Sequence, residues 1–186
     1  MAPARATSPA GRYSTGAIWF HWIIALLVLF NLVVGIFHEG VPALRALMGT
    51  HKAVGITVLA LTLGRIAWRL GHNPPPLPGE VAGWERTIAQ GIRWVFYALL
   101  LIMPLTGWAM VSASAKPRPI AWFGLFDVPF LPVTKPIAGT AHELHETLGL
   151  LFAGLVLLHI AGALRHHLLL KDGVLARMIP GIAPKR

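Results

Sequence analysis

Four stretches of this chain are apolar over enough consecutive residues to cross a lipid bilayer, and the breaks between them gather proline, glycine and charge. The first runs from about Ala17 to Phe37, the second from His51 to Leu70, the third from Ile92 to Val111 and the fourth from Leu144 to Leu164. Each holds roughly 20 residues, the length a helix needs to span ~30 Å of hydrocarbon. A helix satisfies its own backbone along such a path, so the pattern predicts an all-α, four-helix transmembrane bundle. Ser14 or Thr15 is positioned to cap the first span. The break GHNPPPLPGE ends the second, Trp84 to Arg93 reads as an interfacial approach to the third, and Pro104 marks a kink inside it. From Ser112 to Ala141 the chain carries five prolines and the aromatics Trp122, Phe123, Phe126 and Phe130, which predicts a loop folded over one membrane face as a lid. The tail after Leu170 is basic and at most amphipathic.

Composition sharpens this picture. Of 186 residues, 55% are hydrophobic and 12% charged, with mean hydropathy +0.65. That is about half the charge of a soluble domain, and the whole of 1–186 reads as a single integral-membrane domain. No continuous apolar region precedes Ala17, the run after it is long and it carries no convincing small-residue cleavage site, so it reads as a retained span, not a signal peptide. The net charge of +9 comes from basic residues scattered around the spans rather than gathered in a patch, which excludes a nucleic-acid partner. Of the 16 basic residues, Arg45, Lys52, Lys116, Arg118 and Lys135 fall on the face of the first and third connections; the remaining eleven fall on the face of the termini and second connection. That bias predicts both termini in the cytoplasm.

Cysteine is absent, which excludes disulfides, thiolate metal sites, iron–sulfur ligation and covalent haem attachment. Nine histidines remain as strong metal ligands. A histidine inside a membrane span is costly and marks a functional site. His145 opens span four and His159 lies fourteen residues on. At ~100° per residue that is about 40° short of four turns, so both rings leave one face, ~21 Å apart along the axis. His142 is turned ~100° away from that face, which favours His145. By depth the histidines sort into an inner pair, His21 with His159, and an outer pair, His51 with His145. One buried histidine is more often structural than functional; four at matched depths point to two stacked bis-histidine sites, which suit two b-type haems held without covalent bonds. Zinc would need three or four donors converging on one point.

Other residues fit around these levels. Gly55 and Gly149 each follow an outer histidine by four residues, and Gly35 follows His21 by fourteen, leaving room for a flat macrocycle at the outer level. Arg65, fourteen after His51, points at the inner level, where it would pair with a haem propionate. His38 and His72 read as solvated. His166, seven after His159 on the same face, reads as a quinone-binding or proton-relaying residue, against the plainer alternative of interfacial anchoring shared with His167. The tryptophans at 19, 22, 68, 84, 94 and 108 read mostly as an aromatic belt.

With these residues in place, the chain resembles the bacterial cytochrome b561 family. The matching pieces are RYSTGAIWFHW, GTHKAVGITVLALTLGRIAWRL with its proline run, FYALLLIMPLTGW and LHETLGLLFAGLVLLHIAGALRHHLLLKDGVLARMIP, from about Arg12 to Pro180. The resemblance implies a four-span inner-membrane protein with two b haems, axial ligands His21, His51, His145 and His159, and His166 in the quinone region. Some similar members oxidise superoxide at the periplasmic face and pass the electrons to ubiquinone. Many members carry a histidine in span three where this chain has Arg93. The expected function is therefore transmembrane electron transfer from a periplasmic donor, superoxide or a protein, to ubiquinone. Lys52, Lys116 and Arg118 would attract an anion to the outer face, where Glu39, Asp127, Glu143 and Glu146 offset them. The competing reading is a membrane-anchoring electron-relay subunit of a dehydrogenase or hydrogenase, working with a partner subunit or as a homo-oligomer. A third, a histidine-lined metal or proton transporter, predicts a colourless protein.

Overall fold

A helix laid in lipid closes all its backbone hydrogen bonds internally, and long helices account for most of this chain. The structure, a computed structural model, describes residues 12–72, 83–171 and 174–179. Helix α1 (Thr15–Phe37) is followed by a short α2 (Pro42–Arg45), then α3 (Met48–Gly71) and α4 (Gly83–Ser112). A hairpin of β1 (Ile120–Trp122) and β2 (Phe126–Val128) comes next. Helix α5 (Lys135–Arg165) runs on through a π-helical turn (His166–Leu170) towards a 3-10 turn (Leu175–Arg177). The segments Thr15–Phe37, Met48–Gly71, Gln90–Ser112 and Lys135–Leu170 are each long and apolar enough to cross a membrane.

The bundle packs in sequence: α1 on α3, α3 on α4 and α4 on α5, while α1 and α5 meet only lightly. Ile24, Val28, Val54, Val58, Leu99, Leu100 and Phe152 form its buried core. On α1 and α3 these residues lie three and seven positions after His21 and His51, and Phe152 is midway between His145 and His159. The core is thus an apolar layer between two histidine levels. The outward faces are apolar as well: Leu157 and Leu158 are 68% and 69% exposed, so the surface is built for lipid.

Several elements differ from the expectation. Helix α5 begins at Lys135, nine residues before Leu144, because Pro136 sits in its first turn, where a missing N–H costs nothing. The interfacial approach and the third span are one helix that continues through Pro104. The proposed lid is an ordered hairpin in register Ile120↔Val128, Ala121↔Asp127 and Trp122↔Phe126. Its turn puts Phe123 at φ 49° and Gly124 at φ 76°, with Leu125 N donating to Trp122 O at 3.0 Å, the positive-φ pair that matches strand twist. The tail does not trail: Trp22 Nε1 donates to Met178 O at 2.6 Å and Arg12 to the Ile179 carbonyl, and Ala176 is buried. The proline-rich run at 73–82, residues 1–11 and residues 180–186 lie outside the described residues.

The tryptophans do more than line an interface. Trp68 Nε1 donates to the capping Ser14 Oγ at 3.1 Å, Trp108 Nε1 to Pro129 O at 2.9 Å, and Trp122 Nε1 to Thr57 Oγ1 at 3.1 Å. Each ties a connection to a span, whereas Trp19 and Trp94 face outward. The Trp122 bond pins the hairpin to α3. Thr57→Val removes its acceptor at a cost of about 1 kcal/mol. The expected outcome is faster amide exchange over residues 120–128, with exchange in the spans unaltered; unchanged protection of the hairpin would show that the pin does not hold it.

Candidate functional site

The chemistry-bearing side chains gather at two levels. At the end where α1 begins and α5 finishes, the rings of His21 and His159 stand with centroids 6.2 Å apart and planes at 69°. At the hairpin end, His51 near the start of α3 and His145 of α5 stand 6.3 Å apart at 79°. Helix α5 thus gives one imidazole to each pair. Facing rings at this separation are too far apart to hydrogen bond directly. A metal between them needs about 2 Å to each nitrogen, and each ring centre lies about 1 Å further, which sums to about 6 Å. The two separations suit one ion per pair.

Among the described residues, no group of three or more histidine, cysteine, aspartate or glutamate side chains is arranged to hold a metal. An ion between two imidazoles would need further donors, which a non-protein group can supply. A porphyrin supplies four nitrogens in a plane and leaves two axial places for histidine.

The His145 ring sits in a seat made by α4. Its Nδ1 lies 3.0 Å from the Met103 carbonyl oxygen and 3.1 Å from Thr106 Oγ1. A carbonyl only accepts, so Nδ1 carries the proton and Nε2 keeps its lone pair for a metal. Opposite the ring, a Cβ added to Gly107 would stand 3.1 Å from His145 Cε1. His51 packs the same way against α1, where a Cβ at Gly35 would lie 3.1 Å from its Cε1. The His51 Nδ1 turns towards the Asn31 backbone and, like Asn31 Oδ1, is buried without a fully formed hydrogen bond. The orphaned Asn31 Oδ1 beside the ring pair fits a site completed by a bound group.

At the other level, Arg65 lies within electrostatic reach of both His21 and His159. Its guanidinium sits 5.6 Å from the centre of the Tyr97 ring, and it lines a small cavity of about 30 Å³ with Tyr13, Trp68, Arg69 and His72. Phe96 bridges towards the core, 5.2 Å from His159 and 5.8 Å from Phe152.

The remaining histidines are elsewhere. His142 pairs with Glu146 at 3.3 Å on the exposed face of α5, so it is His145 that meets His51. His38 Nδ1 lies 2.8 Å from Gly35 O, and His72 stacks on Trp68 at 4.0 Å. His166 is half-buried where α5 passes into the π-helical turn, outside both ring pairs, and Arg93 is half-buried on α4. Gly55 and Gly149 border Asn31 and Met103 at ordinary contact distance, so the glycines against the rings are Gly35 and Gly107. Met103, Thr106 and Gly107 were not singled out from the sequence, although a threonine beside Pro–Leu and Gly in an apolar span is a signal for a polar contact between helices.

Comparison with known proteins matches this geometry to a family. The prokaryotic cytochrome b561 family matches residues 12–181. Cytochrome b561 homolog 2 of Escherichia coli (strain K12) is 31% identical over 188 residues, 93% of this chain and 94% of its own length. A probable superoxide oxidase CybB of Yersinia pestis is 28% identical over 176 residues, covering 91% of this chain and 96% of that one. Cytochrome b562 of Cereibacter sphaeroides is 32% identical over 175 residues, 90% and 94% of the two chains. The chain belongs to the prokaryotic cytochrome b561 family, multi-pass bacterial membrane proteins that transfer electrons with b-type haem.

Proposed function

We propose that the chain, one membrane domain over residues 1–186 of a bacterial inner-membrane protein with both termini cytoplasmic, holds two b haems and carries electrons from a periplasmic donor to ubiquinone. His51 and His145 hold one haem near the periplasmic face, and His21 and His159 hold the other near the cytoplasmic face. The observation that carries this reading is the pair of ring separations, 6.2 and 6.3 Å, one at each end of the bundle. Held by these histidines, each haem would supply a one-electron carrier, and with the four imidazoles engaged the chemistry would be electron transfer rather than oxygen binding.

The chain's own residues do the rest. The layer of Ile24, Val28, Val54, Val58, Leu99 and Phe152 keeps water and ions from crossing between the two levels. Arg65 offers its charge to a propionate at the inner site, which answers the cost of holding an arginine at that depth. His166, at the cytoplasmic end of α5, donates protons to or holds the quinone.

Superoxide is the donor this reading favours, supported by the relative named as a probable superoxide oxidase. Lys52, Lys116 and Arg118 are exposed at the hairpin end and would draw a small anion there. Two superoxide anions each lose one electron and leave as O2. One ubiquinone gains the two electrons and two cytoplasmic protons and becomes ubiquinol.

Three measurements test this. Purified protein should carry two haems, and His51→Ala or His145→Ala should lower haem content by about half; full occupancy in either variant refutes the pairing. Arg65→Ala should lower the midpoint potential of the inner haem and leave the outer nearly unmoved, because a fixed positive charge favours the reduced iron; equal shifts would remove its assigned role. Stopped-flow mixing with superoxide and a quinone analogue should show rapid quinone reduction that falls at least about tenfold in His166→Ala. Unchanged rates in that variant would place the quinone elsewhere, and co-purification with a catalytic subunit, without superoxide activity, would favour the relay-subunit reading.

A further inference from the structure

Helix α4 brings no histidine to either ring pair, yet a single turn of it builds the seat of His145. Met103 O and Thr106 Oγ1 lie 3.0 and 3.1 Å from Nδ1. Thr106 Oγ1 is also 2.9 Å from both Ile102 O and Met103 O, so the hydroxyl gives its proton to a carbonyl and accepts from the imidazole N–H. A threonine in a helix often bonds a carbonyl of its own preceding turn, which accounts for the Ile102 contact. It does not account for the approach to a ring on another helix, 39 residues away in sequence. Gly107 completes the seat, since any side chain there would press on His145 Cε1 at 3.1 Å.

The second level is built differently. Among the described residues neither His21 nor His159 has a hydrogen bond from its ring, and the nearby charge is the half-buried Arg65. An imidazole whose far N–H is hydrogen bonded becomes a stronger donor at its metal-facing nitrogen, which favours the oxidised iron. A fixed cation near the other site favours the reduced iron there. Both differences push the same way.

We propose that the Met103 carbonyl, Thr106 and Gly107 are positioning groups that hold the haem at His51 and His145 at a lower potential than the haem at His21 and His159, so that electrons run downhill from the hairpin end to the terminal end. This rests on the two-haem reading above. It assigns a role to the α4 stretch IMPLTG and builds the direction of flow into the protein rather than leaving it to donor and acceptor alone.

Potentiometric titration of the purified holoprotein, following the visible absorption bands, tests it. His21→Ala, which leaves the outer haem alone, identifies which band belongs to which site. In the unmodified protein the outer haem should titrate at the lower potential. Thr106→Val should keep both haems, raise the midpoint of the outer one and leave the inner unmoved, and Thr106→Ser should restore the original value. An outer midpoint at or above the inner one in the unmodified protein overturns the proposal, and so does an unmoved outer midpoint in a fully loaded Thr106→Val. Should Thr106→Val fail to hold the outer haem, the order of midpoints in the unmodified protein decides. Haem content separates the two ideas: a colourless protein ends the two-haem reading, whereas two haems with no response at position 106 ends only this one.

Discussion

An imidazole placed in hydrocarbon gains stability for each nitrogen that finds a partner. Water is not there to take up a free donor or lone pair, and a lost partner costs on the order of 1–3 kcal/mol. Here the ring of His145 meets this demand from two sides, with its N–H fixed on a carbonyl of α4 and its other nitrogen at the face shared with His51. The two ring pairs constrain the bundle. The four spans must stand in an order that brings α5 near α1 at one end and near α3 at the other, and α4 must lie close enough to α5 to receive its ring.

The apolar core and the two ring pairs divide the labour. Phe152, Leu99, Val54 and their neighbours give the helices a common contact halfway along, where there is nothing polar to satisfy. The contact between α1 and α5 is light against the close packing elsewhere, and the His21–His159 pair lies where those two helices meet. In lipid there is little hydrophobic drive to tighten such a contact, because tails solvate leucine as well as leucine does.

Much of this was legible from the residues alone, and the reasons are physical. A run of apolar residues long enough to span a bilayer has one backbone solution, so the four helices followed from pattern. The fourteen-residue interval on α5 fixed a common face because helical periodicity leaves no freedom over that length. Other features were not legible. The hairpin depends on indole hydrogen bonds from Trp122 and Trp108 to Thr57 and Pro129, partners far away in sequence. The early start of α5 was hidden by Pro136, which reads as a breaker although it is harmless in a first turn. The seat at Met103 escaped because a backbone carbonyl has no letter in the sequence, and Gly107 showed only when its neighbour was known.

That both ring pairs borrow from α5 has a bearing on how the molecule is made. Of the four spans, α5 is the last to leave the ribosome, and until it enters the membrane His21 and His51 have no counterpart. The fold-back of Met178 and Ile179 onto Trp22 and Arg12 comes later still. The three earlier helices therefore carry His21 and His51 unpaired, and the arrival of α5 brings both ring pairs together.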